Sequence, residues 1–270
     1  MEGVMMRGPK SYAVAVRKPD GEIIVDKKDL PDKKKLFFIH SANFGSEYFY
    51  YMAQKLKDEY SFIVLEPYNR NHKENQLRSI EEYASKYVEI IKSIQPEGPY
   101  YIGGYCFGGV IAHEIAVQLE KQNDKVEKLV QLEAYNIDDE KLTKLMIEDQ
   151  ILFAREFVNE GILDSKHEHI EDMISYVLSS TSIMYNYKPG YYDGDVIYFK
   201  STVQSDGFST DVSETLNDYF MSRKAGGYED YYNAEKLKIV HVPVDHDSLL
   251  NIEALKIVIP ELKKFIDGSD

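Results

Sequence analysis

The chain has 270 residues, 43% of them apolar, and a formal net charge of −14 from 32 basic and 46 acidic residues. This length and apolar fraction suit one α/β domain with a large core, and the negative charge argues against nucleic acid as a partner, because phosphate binding needs a basic surface. A single cysteine excludes an intramolecular disulfide and a cysteine-rich metal site, and without a long apolar run or a signal sequence we expect a cytoplasmic protein with no membrane span.

The N-terminal part of the chain has the pattern of β-strands. Residues 12–17 and 22–26 alternate apolar and polar side chains on either side of Asp20-Gly21, which predicts a β-hairpin. We therefore assign residues 1–32 to an N-terminal extension and residues 33–270 to the main domain.

From residue 36 onward, short apolar runs alternate with amphipathic segments. Strands are predicted at 36–39, 62–65, 100–102, 128–132, 196–199 and 237–242, and helices at 47–57, 80–93, 109–121, 212–222 and 251–266. Such alternation predicts an α/β fold with a mostly parallel sheet and helices on both faces. The segment 137–190 is largely helical in pattern, at 142–158 and 170–185, and we expect it to form a helical lid.

The most specific motif is Gly104-Tyr105-Cys106-Phe107-Gly108-Gly109, which lies between a predicted strand and a predicted helix. This order matches the nucleophile elbow of α/β-hydrolases, in which serine is usual at the central position. The flanking glycines let the backbone crowd around a strained residue, and the helix N-terminus favours negative charge on it. A lone cysteine is more often a buried apolar side chain, but this context predicts that Cys106 is a nucleophile.

A nucleophilic cysteine needs a base, which α/β-hydrolases place last in the chain order nucleophile, acid, histidine. His246 lies between the last predicted strand and the last predicted helix, where the base is expected. His167 and His169 fall in the predicted lid, and His241 falls within the strand at 237–242, where we expect a structural role.

The acid should follow a strand that ends beside the elbow. Glu133 directly follows the strand at 128–132, so we expect its side chain at the carboxyl edge of the sheet and favour it as the acid. Four other carboxylates stay open as alternatives: Asp138, Asp139, Asp206 and Asp211.

Two backbone N–H groups are expected to bind the oxyanion that forms during acyl transfer. One belongs to Phe107, the residue after the nucleophile, and the other to Ala42, in the loop that follows the strand at 36–39. His40 begins this loop, and we expect it to brace the loop rather than to act as a base.

These motifs together resemble the thioesterase domains of nonribosomal peptide and polyketide synthases, over residues 34–266. Residues 36–45 are similar to that family's strand and His-Pro-Ala-Gly-Gly-type loop, and residues 99–109 are close to its elbow, commonly Gly-Gly-Tyr-Ser-Phe-Gly-Gly. Glu133 and His246 stand where the family has its catalytic Asp and His. The chain departs from the family in having Cys for Ser, Glu for Asp and a bulkier loop at its oxyanion region.

The resemblance implies an α/β-hydrolase that releases an acyl or peptidyl chain from the phosphopantetheine thioester of a carrier protein. Release by hydrolysis or by macrocyclisation would pass through an acyl-enzyme on Cys106. The implied partner is an acyl or peptidyl carrier protein, and no cofactor or metal is expected. A stand-alone editing thioesterase and a non-catalytic binding protein of the same fold are the alternatives.

Overall fold

A computed structural model of the chain describes residues 3–7, 12–17, 23–27, 33–42, 45–68, 77–148, 178–180, 182–184, 186–204 and 211–268. The strands form two separate sheets, one of three strands and one of six. The strands, numbered in chain order, are β1 (Gly3–Arg7), β2 (Tyr12–Arg17), β3 (Ile23–Lys27), β4 (Lys35–Ile39), β5 (Ser61–Leu65), β6 (Tyr100–Tyr105), β7 (Val126–Leu132), β8 (Val196–Ser201) and β9 (Leu237–Val242).

The three-stranded sheet lies in the N-terminal extension. β2 pairs with β3 in the antiparallel sense, with Ala15 opposite Val25, as a hairpin requires, and the predicted turn at Asp20-Gly21 lies outside the described residues. β1 adds a third antiparallel strand to the other edge of β2, which the hairpin pattern did not predict.

The six-stranded sheet has the order β5-β4-β6-β7-β8-β9, and all of its pairs are parallel. The helices that accompany it are α1 (Tyr50–Leu56), α2 (Ile80–Ile94), α3 (Phe107–Lys121), α4 (Asp211–Ser222) and α5 (Leu255–Asp267). Among the described residues, no helix has the length and apolar character that crossing a membrane requires.

Two predicted helices start later than their pattern suggested. The first turn of the helix expected at 47–57 is a 3-10 helix, Ser46–Phe49, and α-helical geometry begins only at Tyr50. The last helix begins at Leu255, after a turn in which the Asn251 side chain accepts a hydrogen bond from the N–H of Ala254 (2.8 Å).

Helices cover both faces of the sheet, as predicted. On β4, Phe37 and Ile39 belong to the core that includes α2 and α3, whereas Leu36 and Phe38 belong to the core that includes α1 and α5. All four side chains are at most 1% exposed. Burying each one stabilises the fold by about 1.5–3 kcal/mol, which is why the strand is an unbroken apolar run instead of an alternating one.

The parallel arrangement brings the carboxyl ends of all six strands to one edge of the sheet. Tyr105, the last residue of β6, is in register with Leu132, the last residue of β7. The next residues extend the ladder, since the N–H of Cys106 donates to Leu132 O (2.9 Å) and the N–H of Glu133 donates to Phe199 O (3.0 Å). The fold therefore places Cys106 and Glu133 side by side.

The predicted lid lies mostly outside the described residues. Within the described part, residues 140–148, 178–180 and 182–184 are helical, in agreement with the helical pattern expected there. The lid itself stays a prediction.

Candidate active site

The elbow at Cys106 is a strained turn between β6 and α3. Cys106 has φ 54° and ψ −121°, a backbone conformation that costs a residue with a side chain about 1–3 kcal/mol. A Cβ on Gly104 would lie 2.1 Å from the carbonyl oxygen of Gly108, and one on Gly108 would lie 2.2 Å from Ile39 O. Only glycine fits these two positions, so the motif is what permits the turn that presents Cys106.

Glu133 and His246 meet at the end of β7. The Nδ1 atom of His246, which lies in the loop after β9, is 2.9 Å from Glu133 Oε2. Glu133 is only 1% exposed, and its other oxygen, Oε1, accepts a hydrogen bond from the N–H of Ser201 (2.8 Å). Its own backbone has φ 46°. This strained strand exit and the Ser201 amide together direct the carboxylate toward His246.

The electrostatics of the three groups are coupled. Burial disfavours the charged form of His246, but hydrogen bonds with Cys106 and Glu133, together with their negative charges, raise its pKa well above the usual value. Burial likewise disfavours the Glu133 carboxylate, but hydrogen bonds from His246, Ser201 and Tyr135 and the charge of His246 lower its pKa below the usual value. His246 can thus hold a proton between the Cys106 sulfur and an ionised carboxylate, the arrangement that a nucleophile, base and acid require.

Tyrosines frame the imidazole, and the sequence pattern did not single them out. The ring of Tyr105 is stacked on that of His246 at 5.1 Å between centroids, and its hydroxyl donates to His246 O (3.0 Å). The ring of Tyr135 lies 5.4 Å from that of His246. Tyr105 precedes the nucleophile and Tyr135 comes two residues after Glu133, so nearness to both motifs was the available signal.

The two residues expected to supply oxyanion donors lie on neighbouring parts of the same edge. Ala42 follows β4 and packs against the core, and Phe107 is the first residue of α3 and is fully buried. His40 is buried, with Nδ1 2.7 Å from Ser41 O and Nε2 2.8 Å from the Tyr87 hydroxyl. These contacts confirm the expectation that His40 braces the loop.

The other acid candidates are placed differently from Glu133. Asp138 is exposed and forms an ion pair with Lys188 (2.5 Å), and the Oδ1 of Asp139 accepts a hydrogen bond from the N–H of Leu142 (2.9 Å). Asp206 lies outside the described residues, and Asp211 is the first residue of α4.

The remaining histidines also lie apart from the elbow. His241 lies within β9, as predicted, but at the edge of the sheet with an exposed side chain. Because its side chain is exposed, burial does not support the structural role expected for His241. His167 and His169 lie outside the described residues.

No group of three or more His, Cys, Asp or Glu side chains that could hold a metal ion occurs in the part of the chain that the structure describes. The His246 imidazole contacts both Cys106 and Glu133. The arrangement is suited to nucleophilic attack and proton transfer by the protein's own groups.

Comparison with known proteins identifies the family. A family model for the thioesterase domain matches residues 34–265. The polyketide synthase PksR of Bacillus subtilis (strain 168) is 38% identical over 101 residues, which are 37% of this chain and 4% of that protein. The dimodular nonribosomal peptide synthase of the same organism is 23% identical over 212 residues, 69% of this chain and 9% of that protein. The chain thus spans only a small part of these relatives.

Solved structures share the fold. The NocB thioesterase domain, in covalent complex with a fluorophosphonate nocardicin G analog, aligns with a TM-score of 0.67 and 23% identity over 86% of this chain and 94% of its own. The surfactin thioesterase domain SrfTE aligns with a TM-score of 0.58 and 16% identity over 87% and 92% of the two chains. The predicted fold class, a mostly parallel α/β-hydrolase sheet covered by helices, is confirmed, and with the family match over most of its length the chain belongs to the thioesterase-domain family and is a thioesterase.

Proposed function

We propose that this thioesterase releases an acyl or peptidyl chain, by hydrolysis or macrocyclisation, from the phosphopantetheine thioester of a carrier protein, with Cys106 as the nucleophile. The observation that carries the proposal is the contact of Cys106 with His246 and of His246 with Glu133 at the carboxyl edge of the sheet. The substrate class follows from the relatives, which are a polyketide synthase and a nonribosomal peptide synthase. The SrfTE domain of the same fold cyclises the lipopeptide surfactin.

In the first half-reaction, the Cys106 sulfur attacks the thioester carbonyl carbon while its proton resides on Nε2 of His246. The carbonyl π electrons move to oxygen, and the tetrahedral intermediate then collapses with cleavage of the bond to the pantetheine sulfur. His246 gives its proton to that sulfur, so the arm leaves as a thiol and Cys106 holds the acyl group. Glu133 remains ionised and stabilises the imidazolium throughout.

In the second half-reaction, water or a hydroxyl or amine of the bound chain attacks the acyl group. His246 accepts the proton of this nucleophile, the bond to Cys106 breaks, and the proton passes to the departing sulfur. Exchange of one thioester for another is close to thermoneutral, so loading is reversible. The acyl-enzyme is more electrophilic than an oxygen ester, which suits release by a weak nucleophile.

We propose the N–H groups of Phe107 and Ala42 as the donors to the oxyanion. The first N–H groups of a helix have no acceptor within the helix, and Phe107 begins α3. The first turn of α3 lies against the end of β4, since a Cβ on Gly108 would lie 2.2 Å from both Ile39 O and His40 O. This close approach supports the placement of both donors on one side of Cys106.

The experiment is intact-mass measurement with acyl N-acetylcysteamine thioesters, which mimic the end of the pantetheine arm. We expect the native enzyme to gain the mass of the acyl group and Cys106→Ala to gain none. Cys106→Ser should hold the acyl group as an ester and release it more slowly. Steady turnover by Cys106→Ala would overturn the proposal.

Histidine variants provide the matched control. We expect His246→Ala to acylate at least about a hundredfold more slowly, because general base catalysis contributes about 10²–10⁴-fold. His241→Ala removes an exposed imidazole from β9 and should acylate at the native rate. Equal rates for the two variants would contradict the role of His246.

We also propose that residues 33–270 form the thioesterase domain and that residues 1–32 are an extension to it. The family match begins at residue 34, and the described strands of the extension form a sheet of their own.

A further inference from the structure

Three hydrogen-bond donors converge on the Glu133 carboxylate. The N–H of Ser201 occupies Oε1 (2.8 Å), whereas Oε2 accepts from two groups, the hydroxyl of Tyr135 (2.8 Å) and Nδ1 of His246 (2.9 Å). The Tyr135 hydroxyl is also 3.4 Å from that Nδ1 atom. Because Nδ1–H points at the carboxylate, the tyrosine hydroxyl and the imidazole share one oxygen.

The Tyr135 ring is held in place from both sides. It packs against Phe220 of α4 with 4.0 Å between ring centroids, and against His246 at 5.4 Å. The next residue is tied down through its backbone, since the N–H of Asn136 donates to Gly226 O (2.8 Å). A side chain fixed in this way brings its hydroxyl to Oε2 at little further entropic cost.

We propose that Tyr135 is a positioning residue of the thioesterase reaction, a role that rests on the proposed functions of Glu133 and His246. Glutamate has one more rotatable bond than the aspartate usual in such sites, so its carboxylate needs an additional constraint. The Tyr135 hydroxyl supplies this constraint at Oε2 and, by sharing that oxygen, moderates how tightly the carboxylate holds the proton on Nδ1. The imidazole is then both oriented toward Cys106 and able to give up its proton.

The groups that face this pair come from every neighbouring element. They are Cys106 and Tyr105 at the elbow, Glu133 and Tyr135 after β7, Tyr198 and Lys200 of β8, Tyr48 in the 3-10 helix before α1, and Asp247 in the loop of His246. Lys200 acts on Glu133 by charge and donates to Met221 O (3.1 Å). Among these described side chains, Tyr135 is the only one that shares Glu133 Oε2 with His246 as a hydrogen-bond donor.

The test compares three variants of the full chain by acyl thioester kinetics and by NMR titration of ¹⁵N-labelled histidine. In Tyr135→Phe we expect kcat to fall about tenfold, the size of one lost hydrogen bond to a charged group, with KM within about twofold. The protonation midpoint of His246 should rise, because Oε2 becomes a stronger acceptor once it loses a competing donor. Substitution of 3,5-difluorotyrosine for Tyr135 keeps the shape but strengthens the donor, and should lower the midpoint.

Tyr198→Phe is the matched control, since it also removes a buried tyrosine hydroxyl beside the same segment. That hydroxyl donates to Ala134 O (2.7 Å), so its loss is expected to affect stability while leaving the His246 midpoint unchanged. A midpoint and a kcat that do not change in the Phe or the difluorotyrosine variant would overturn the proposal. If Tyr135→Phe does not fold, the difluorotyrosine variant alone decides the outcome.

Failure of this inference can be told from failure of the proposed function. If Tyr135→Phe keeps the native kcat and His246 midpoint while Glu133→Gln is inactive, only the positioning role of Tyr135 is refuted. If Glu133→Gln keeps its activity, the role of Glu133 as the acid is refuted, and the role of Tyr135 loses its basis.

Discussion

Replacing Glu133 by Gln tests the proposed site most directly, because both carboxylate oxygens already accept hydrogen bonds. If the new NH₂ group stands at the Oε1 position, it faces the N–H of Ser201 at 2.8 Å, and two donors oppose each other. If it stands at the Oε2 position, it faces His246 Nδ1 at 2.9 Å. That nitrogen must then accept, the proton moves to Nε2, and His246 can no longer take a proton from Cys106.

Each hydrogen bond to a charged acceptor contributes about 1.5–3 kcal/mol, and either orientation of the amide disrupts one or two of them together with the ionic partner of the imidazolium. We therefore expect a loss of about 4 kcal/mol in transition-state stabilisation, which is a fall of about a thousandfold in kcat/KM. The assay is steady-state hydrolysis of an acyl N-acetylcysteamine thioester, followed through the released thiol.

Two carboxylates nearby serve as controls and also test the alternative acids. Asp138 is exposed and paired with Lys188, and Asp139 accepts from a backbone N–H at the start of a helix. We expect Asp138→Asn and Asp139→Asn to keep kcat/KM within about twofold of the native value. The reasoning is refuted if Glu133→Gln stays within fivefold of the native enzyme, or if one of the aspartate variants loses activity instead.

Two further predictions concern stability. Burial lowers the pKa of His113 to about 4, whereas in the unfolded chain it has the ordinary value near 6.5. Between these two pH values the imidazole is protonated in the unfolded chain and neutral in the folded chain. The contribution of neutral His113 to the free energy of unfolding is therefore fully present above pH 6.5 and falls by about 3 kcal/mol toward pH 4. Urea unfolding should show a smaller loss of stability between pH 6.5 and pH 4 for His113→Gln than for the native chain, and an equal loss would contradict this. Gly108→Ala should lower the free energy of unfolding by about 3 kcal/mol or more and abolish activity, because its Cβ would lie 2.2 Å from two backbone oxygens. Gly268→Ala, with φ 66° but open space around it, should cost only about 1 kcal/mol, and similar losses for both glycine variants would show that the close approach at Gly108 is not the cause.

Much of the fold was predictable because its signals are local. The unbroken apolar run at 36–39 marks a strand that is buried on both faces, and the one-sided pattern at 80–93 marks a helix on a sheet. The elbow is the strongest case, because the turn at Cys106 requires glycine at fixed positions on either side of it. These features depend on residues a few positions apart, so they can be read from the chain alone.

The boundaries that were wrong depend on interactions that no periodicity reveals. The last helix begins at Leu255 instead of residue 251, after a turn in which the N–H of Ala254 donates to the Asn251 side chain. β1 joins the N-terminal sheet through pairing with β2, and its partner could not be chosen from an alternating pattern.

The residues of the site divide in the same way, into those that neighbouring sequence identifies and those that only the fold brings together. Cys106 and its two glycines, Gly104 and Gly108, lie within six consecutive residues, because the close backbone contacts of the turn involve its immediate neighbours. The position of Glu133 after a strand favoured it from the sequence, but its contacts depend on β7 lying between β6 and β8, which brings the amide of Ser201 and the ring of His246 to one carboxylate. Tyr135 and His246 are 111 residues apart in the chain, and only the folded sheet brings them to the same oxygen.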